Sequence, residues 1–401
     1  MFTIPRRFLV HTYVLLFVAF DQIASIQIKT FSSAIFITSD VINTFSNVTC
    51  DQCTCLAWTT QAVAWNCMMN TSTCQLISKY SATNGYLQIT TNGSFFYLPS
   101  TTVGTTIAGY STGYSSSGSM GLSHPHGLFI SRNGTLYVVD TFNSRVQAFA
   151  WNSSVGSTAV PSSVLSYVEF VYVNENTSTI YTSDYNLHGA VLYPGNTTIP
   201  TAGQNLTCTT NRPYSASGLV GDSKGNLYIA SSFCHTVLKL DGSNTNSIIR
   251  VAGSGTAGNG SSQLNTPYGL SLDEKNSILY VTDMKNSRIQ KIFLNQNSTV
   301  GVTVAGGNGA GCALNQLNFP QGVTFSQKDG SIYVADTNNN RIVRWRINAT
   351  EGVVVAGSLN CMVGTTSVLL NSPFDLKFGA NETFLFVADM YNNRVQRFQL
   401  N

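Results

Sequence analysis

Residues Ser331–Trp345 read SIYVADTNNNRIVRW, and this stretch decides the fold. An apolar run, a polar turn and a second apolar run are typical of two β-strands joined by a short turn. Copies of its central part recur along the chain, at Leu136–Val146, Ile180–Asp184, Leu227–Ser231, Leu279–Ile289 and Leu385–Val395. The second and third of these copies lack the Arg. The chain from residue 101 to its end is therefore predicted to consist of six repeats.

Each repeat carries the residues for four short strands. A Pro-x-Gly sequence, or a near match, precedes each strong copy, at Pro125, Pro267, Pro320 and Pro373. An Ala-Gly strand follows at Ala202-Gly203, Ala252-Gly253, Ala305-Gly306 and Ala356-Gly357. Four antiparallel strands repeated every ~40–55 residues predict the blades of a β-propeller.

These residues resemble the NHL repeat, whose motif combines Pro-x-Gly, Tyr-Val-Ala-Asp and Asn-x-Arg-Ile/Val. The resemblance implies an all-β fold with a six-bladed propeller at 101–401. The last repeat lacks its Ala-Gly strand, and an additional copy, Thr105–Gly109, precedes the first repeat. We therefore expect 105–109 to pair into the last blade and to close the ring, which removes an open sheet edge.

The repeated Asp and Arg residues are predicted to be structural, because catalysis does not require the same pair in four blades. Each Asp is expected to accept backbone N–H groups two or three residues later in its own turn, and each Arg to pair with a carboxylate. The pairs are Asp140/Arg145, Asp283/Arg288, Asp336/Arg341 and Asp389/Arg394. The glycines of Pro-x-Gly are expected to permit close packing near the central channel.

The first 25 residues are predicted to be a signal peptide. Arg6 and Arg7 precede an apolar run at Phe8–Phe20, and small residues follow. The run is shorter than the roughly 20 residues of a membrane span. The alternative is an uncleaved segment that anchors the chain in a membrane. No later stretch is long and apolar enough to span one, so we expect a secreted, extracellular protein.

Residues 26–100 are rich in cysteine. Cys50 and Cys53 form a Cys-x2-Cys motif. In a secreted chain disulfides are favoured over zinc at this motif, because no His or second Cys-x2-Cys motif lies nearby. The segment resembles a PAN/apple-like module, with a late strand at Cys74-Gln75-Leu76, which implies a small disulfide-bonded α+β fold. Its cysteines are Cys50, Cys53, Cys55, Cys67 and Cys74. The odd number leaves their connectivity open.

Four further cysteines lie in the repeats. Cys208 and Cys234 bracket the third repeat, and Cys312 and Cys361 occupy equivalent loops after the Ala-Gly strands. We predict the disulfides Cys208–Cys234 and Cys312–Cys361, the second between adjacent blades. Asn-x-Ser/Thr sequons also recur, and each marks a glycan site if the chain is secreted and the Asn is exposed. They begin at Asn47, Asn70, Asn92, Asn133, Asn152, Asn176, Asn196, Asn205, Asn259, Asn297, Asn348 and Asn381.

The charge balance argues against nucleic acid as a partner. The net charge is +3, from 21 basic and 18 acidic residues, and 10% of residues are charged, whereas RNA binding by a propeller requires a basic face. NHL repeats also occur in ubiquitin ligases, but the Cys/His zinc module of the ligase step is absent from the sequence.

Two metal-dependent enzymes offer comparisons. Pro125-His126-Gly127 matches one zinc-binding position of the peptide-amidating lyase, but Tyr268, Gln321 and Phe374 stand at the other positions. His126 is thus a weak candidate metal ligand, since one His does not form a zinc site. Lactonase-like propellers hold calcium through Glu, Asn and Asp in the channel, so Glu169 makes calcium a second possibility.

The sequence therefore favours a non-catalytic protein that needs no cofactor. Its propeller loops are expected to bind an extracellular protein or glycan. The alternative is a metal-assisted hydrolase or lyase that uses the propeller channel.

Overall fold

A computed structural model describes residues 103–186, 189–193, 208, 215–242, 247–296 and 299–400. It also gives the backbone of short strands at Tyr13–Leu15, Lys29–Phe31, Val41–Ser46, Ala64–Met68, Thr73–Ile77, Tyr86–Ile89, Phe95–Leu98 and Thr197–Thr198. The chain divides into two units, Met1–Thr101 and Thr102–Asn401.

The first unit contains a three-stranded antiparallel sheet with Thr73–Ile77 between Val41–Ser46 and Ala64–Met68. The predicted signal peptide, the helical part of the predicted α+β module and the side chains of Cys50, Cys53, Cys55, Cys67 and Cys74 lie outside what the structure describes. These features, and the PAN/apple-like resemblance, stay predictions.

The second unit consists of six four-stranded antiparallel sheets, the blades. Blade 1 comprises Pro125–Ile130, Leu136–Asp140, Arg145–Phe149 and Gly156–Val160. Blade 2 comprises Val168–Asn174, Thr179–Asp184, Gly189–Tyr193 and Thr197–Thr198. Blade 3 comprises Ala216–Gly221, Leu227–Ser231, Thr236–Leu240 and Ile248–Ala252. Blade 4 comprises Pro267–Asp273, Ile278–Asp283, Arg288–Phe293 and Gly301–Gly306. Blade 5 comprises Val323–Phe325, Ile332–Asp336, Arg341–Trp345 and Val353–Gly357. Blade 6 comprises Pro373–Phe378, Phe384–Asp389, Arg394–Gln399 and Thr105–Gly109.

Blade 6 takes its fourth strand from the beginning of the propeller. Thr105–Gly109 pairs antiparallel with Arg394–Gln399, and Ala108 lies opposite Val395. This is the pairing expected from the additional Ala-Gly copy. The first strands of consecutive blades contact one another around the whole ring, including blade 6 with blade 1, so they line the central channel. The structure thus confirms the predicted all-β, six-bladed propeller.

The second strand of each blade is buried on both faces, because neighbouring blades cover both sides of it. All five residues of Ile332–Asp336 are buried, and so are all six of Ile278–Asp283. A strand buried on both faces reads as a nearly continuous apolar run, as in Tyr-Val-Ala. The hydrophobic core is therefore divided among the spaces between blades.

The Pro-x-Gly glycines lie where adjacent first strands approach each other most closely. The N–H of Gly269 donates to the carbonyl oxygen of Gln321 at 2.9 Å. A Cβ atom on Gly269 would lie 2.3 Å from that oxygen, well inside van der Waals contact. Only glycine allows adjacent first strands to approach each other this closely, as the sequence predicts.

Two disulfides lie in the propeller, Cys208–Cys234 and Cys312–Cys361, and they are the two expected pairs. Cys312 lies in the connection from blade 4 to blade 5, and Cys361 in that from blade 5 to blade 6. The second disulfide therefore links two cysteines that are 49 residues apart in sequence and lie before and after blade 5.

Replacement of both Cys312 and Cys361 by Ser should lower the free energy of unfolding by about 2–4 kcal/mol. The unfolded chain gains conformational freedom when a long loop is opened. Urea unfolding of the double variant and of the wild-type protein, each without reductant, measures the loss. Equal midpoints for the two proteins would contradict the expected role of this disulfide.

Candidate functional site

The repeated motif forms a buried polar cluster, best seen in blade 5. Asp336 Oδ1 accepts the backbone N–H of Asn318 at 2.7 Å. Its Oδ2 accepts from Asn339 Nδ2 at 2.8 Å and from Arg341 Nε at 2.7 Å. The other guanidinium nitrogens of Arg341 donate to the carbonyl oxygens of Cys312, Ala313 and Gln316. The cluster thus fixes the connection from blade 4, and we call it the clamp.

The clamp recurs with the same geometry in blades 1, 4, 5 and 6. The ion pairs measure 2.7 Å in Asp140–Arg145, Asp283–Arg288 and Asp336–Arg341, and 2.8 Å in Asp389–Arg394. Burial raises the pKa of all four carboxyls, whereas the hydrogen bonds from Asn and Arg act in the opposite direction. Each Arg binds backbone carbonyls of the preceding connection. Every contact of these residues is internal, so the clamp holds the propeller together.

The predicted capping role of the clamp Asp is wrong. None of the four short 3₁₀ turns that follow the Asp residues has a side-chain cap hydrogen bond. The accepted N–H groups belong instead to residues 17 or 18 positions upstream. The turn is closed by a hydrogen bond between its own backbone groups. The Asp carboxylate can therefore bind the connection that leads into its blade.

The sequence interpretation also missed the third member of the clamp. An Asn three residues after each Asp donates both to that Asp and to a carbonyl oxygen of the connection. The four residues are Asn143, Asn286, Asn339 and Asn392. Their recurrence in all four strong copies was the signal that could have identified them.

The central channel is closed by three aromatic side chains from alternate blades. Phe170 of blade 2, Tyr268 of blade 4 and Phe374 of blade 6 contact one another, with ring centroids 5.4–5.8 Å apart. Phe170 stands where blades 1, 3, 4 and 5 have a glycine, which in blades 1, 4 and 5 belongs to Pro-x-Gly. At this level the channel is filled by side chains, and we call the three residues the plug.

His126 and Glu169, the two candidate ligands, lie beside the plug. The His126 ring stacks on Phe374 at 3.9 Å, and Glu169 Oε1 accepts the Tyr268 hydroxyl at 2.5 Å. His126 Nδ1 and Glu169 Oε2 are buried without a protein hydrogen-bond partner. Within the described ranges no three His, Cys, Asp or Glu side chains converge. Neither His126 nor Glu169 therefore belongs to a cluster of three such side chains in this part of the chain.

Burial shifts both candidates toward their neutral forms. Burial, reinforced by the charge of His124, lowers the pKa of His126 to about 3. Burial, reinforced by Asp184 and opposed by the Tyr268 hydrogen bond, raises the pKa of Glu169 to about 7. The Glu169 carboxyl can therefore hold or release a proton near neutral pH.

The Glu169→Gln variant should become more stable than the wild-type protein as the pH rises. Between the unfolded value of 4.5 and the folded value of about 7, the folded state keeps a proton that the unfolded state has lost. The free energy of unfolding thus falls with rising pH across this window, by on the order of 3 kcal/mol. The difference between variant and wild type should be small at pH 4.5 and reach that size at pH 8.

Urea unfolding across this pH range measures the difference, with Glu351→Gln at an exposed position as the matched control. His126 contributes stability that is lost as the pH falls below 6.5, but it is common to both proteins and cancels. A difference that is independent of pH would contradict the raised pKa of Glu169.

A row of aromatic rings surrounds part of the channel mouth. The first strand of each blade begins, and the second ends, at the same face, because Pro125 pairs with Asp140 and Pro373 with Asp389. We call this the upper face. Five rings follow one another there across blades 6, 1 and 2, and we call them the aromatic arc: Tyr391, His124, Phe142, Tyr167 and Tyr185.

The rings of the aromatic arc touch in sequence. His124 lies between its neighbours, stacked on Phe142 at 4.0 Å and edge-on to Tyr391 at 5.3 Å. Tyr167 lies 6.2 Å from both Phe142 and Tyr185. Phe142, Tyr185 and Tyr391 are 57%, 46% and 53% exposed. Tyr167 also meets His126, so the aromatic arc continues to the plug.

Comparison of sequences identifies the repeat. The model of the NHL repeat matches residues 317–345. NHL repeat-containing protein 2 of Bos taurus is 31% identical over a region that covers 32% of this chain and 20% of that protein. The Homo sapiens protein of the same name is 29% identical with the same coverage. The chain therefore matches about a fifth of the length of these curated relatives.

Comparison of structures identifies the fold. An auxiliary nutrient binding protein from Bacteroides thetaiotaomicron has a TM-score of 0.57 at 14% identity, with 82% of this chain and 86% of that chain covered. A gluconolactonase from Xanthomonas campestris has a TM-score of 0.52 at 11% identity, with 70% and 87% covered. Identities this low establish a shared fold alone. The chain therefore contains an NHL repeat at residues 317–345 and folds as a six-bladed β-propeller.

Proposed function

We propose that the propeller is a non-catalytic recognition module of a secreted protein, and that an extracellular protein or glycan binds on the aromatic arc. The carrying observation is the contiguous set of five rings, three of them exposed, that spans three blades at the channel mouth. Scattered exposed apolar residues need no explanation, whereas a contiguous patch marks an interaction site. Aromatic rings supply large contact areas at little entropic cost, and they dominate binding energies.

The internal contacts support binding in preference to catalysis. The clamp groups hydrogen-bond to the protein itself, and the plug fills the channel beneath the aromatic arc. A ligand therefore meets the rim of the mouth, where loops are held by rigid blades. The two disulfides of the propeller agree with passage through an oxidising compartment, as expected for a secreted chain. No helix in the described part of the chain has the length and apolarity to span a membrane.

The test is a binding screen of the secreted protein against arrays of extracellular glycans and of cell-surface ectodomains. A variant with both Phe142→Ser and Tyr391→Ser should lose about 30-fold or more in affinity for the ligand so identified, because two exposed anchor rings are removed. Ile347→Ser, at a 68% exposed position in the turn between the third and fourth strands of blade 5, is the matched control. Ile347 lies at the opposite end of the blade, and its replacement should leave the affinity unchanged. Equal affinity of all three proteins would refute recognition by the aromatic arc.

A hydrolase or lyase that uses the channel is the second candidate, favoured by Glu169. Its pKa near 7 and its unpartnered Oε2 suit a general acid or base. Metal analysis of the purified protein distinguishes the candidates, since a stoichiometric metal that is lost in Glu169→Gln or His126→Phe would favour the enzyme.

A further inference from the structure

Sequons in the propeller concentrate on the face opposite the aromatic arc. Where the structure describes them, the turns between strands 1 and 2 and between strands 3 and 4 of a blade lie at the end away from the upper face, which we call the lower face. Five sequon asparagines lie in such turns, and all five are exposed: Asn133, Asn152, Asn176, Asn348 and Asn381. Asn259 is the remaining sequon within the described ranges, and it lies in the connection from blade 3 to blade 4.

The clamp explains why the upper turns, between strands 2 and 3, carry no sequon in blades 1, 4, 5 and 6 although they are rich in Asn. The Asn of each clamp is followed two residues later by the clamp Arg, as in Asn143-Ser144-Arg145 and Asn286-Ser287-Arg288. An Arg at the third position does not match Asn-x-Ser/Thr. The same residues that hold the blades together therefore exclude N-glycosylation from the turns that present Phe142 and Tyr391.

We propose that Asn133, Asn152, Asn176, Asn348 and Asn381 carry N-linked glycans, which cover the lower face and leave the aromatic arc bare. The proposal rests on the secretory route of the proposed function. A strand of five residues separates the two faces by roughly 16 Å, so the attachment points on the lower turns lie a full strand length away from the aromatic arc. Asn259 lies between blades 3 and 4, so the part of the upper face that carries the aromatic arc, on blades 6, 1 and 2, is left open to a protein or glycan ligand.

The modification requires an oligosaccharide that is carried on a polyprenyl diphosphate. The side-chain amide nitrogen of Asn forms a bond to the anomeric carbon of the sugar, and the bond from that carbon to the diphosphate oxygen breaks. The diphosphate leaves with the bonding electron pair, and the amide nitrogen loses one proton to a base. At Asn133 the side-chain oxygen accepts from Thr135 N–H and Ser131 Oγ, so its contacts engage the oxygen and not the reacting nitrogen.

Glycopeptide mapping of the protein secreted from eukaryotic cells tests the proposal. Enzymatic release in heavy-oxygen water converts each glycosylated Asn into a labelled Asp. We expect the label at all five lower-face positions. Ser154→Ala and Thr350→Ala replace exposed third residues of two sequons, and each should remove one glycan while secretion and thermal unfolding are retained. Ser123→Ala, outside any sequon, is the control.

The outcomes separate this proposal from the one on which it rests. A secreted, disulfide-bonded chain whose lower-face asparagines are unlabelled overturns the glycan assignment and leaves the proposed function intact. A chain recovered from the cytosol with Cys312 and Cys361 reduced overturns both.

Discussion

The Arg341→Met variant is expected to lose about 3–5 kcal/mol of folding free energy, a large fraction of the 5–15 kcal/mol typical of folded proteins. Arg341 and Asp336 are both completely buried. Without the guanidinium, the carboxylate stays in a site from which water is excluded. The carbonyl oxygens of Cys312, Ala313 and Gln316 also lose their donors, and an unsatisfied buried acceptor costs further free energy.

Equilibrium urea unfolding measures this loss, and Arg344→Met is the matched control in the same strand. Arg344 forms a partly exposed ion pair with Asp329, so its replacement should cost about 1 kcal/mol or less. Combination of Arg341→Met with Asp336→Asn should be less destabilising than the sum of the single changes, because the unpaired charge is removed. Equal losses at Arg341 and Arg344 would show that the clamp does not hold the blades.

A chain that begins at Tyr110 should fold less stably than one that begins at Thr102. The shorter chain lacks Thr105–Gly109, and Arg394–Gln399 becomes an open edge. The lost pairing and the exposed side of Val395 together cost on the order of 4 kcal/mol or more. An open edge also invites association between molecules.

Thermal unfolding and light scattering of the two chains test ring closure. The chain from Thr102 retains every strand of the six blades and is the control for removal of the first unit. We expect it to be monomeric with a single transition. The chain from Tyr110 should melt at a clearly lower temperature and aggregate, and identical behaviour of the two chains would contradict closure by this strand.

Much of the propeller was predictable because its repeats are local in sequence. Each blade is a set of adjacent strands, so the spacing of Asp140, Asp283, Asp336 and Asp389 was enough to predict them. The spacing did not indicate the hydrogen-bond partners of these Asp residues. Asp336 accepts the N–H of Asn318, which lies in the connection from the preceding blade, and no local pattern links two such positions.

The plug and the aromatic arc were less predictable because they lie where the copies differ. Phe170 replaces a glycine in a weak repeat, and its contacts with Tyr268 and Phe374 join blades that are not neighbours. The aromatic arc combines residues before the first strand, such as His124, with residues in the turn after the second, such as Tyr391. His124 and Tyr391 meet only because the propeller closes and places blade 6 beside blade 1.

Amide hydrogen exchange of Thr105–Gly109 tests this closed ring most directly. If the strand completes blade 6, its peptide should exchange as slowly as the peptide that covers Arg394–Gln399. The seam of the ring would then hold Tyr391 and His124 together in the aromatic arc. Exchange of Thr105–Gly109 within seconds, beside a protected Arg394–Gln399, would show that the ring is open and would contradict both the fold and the proposed binding surface.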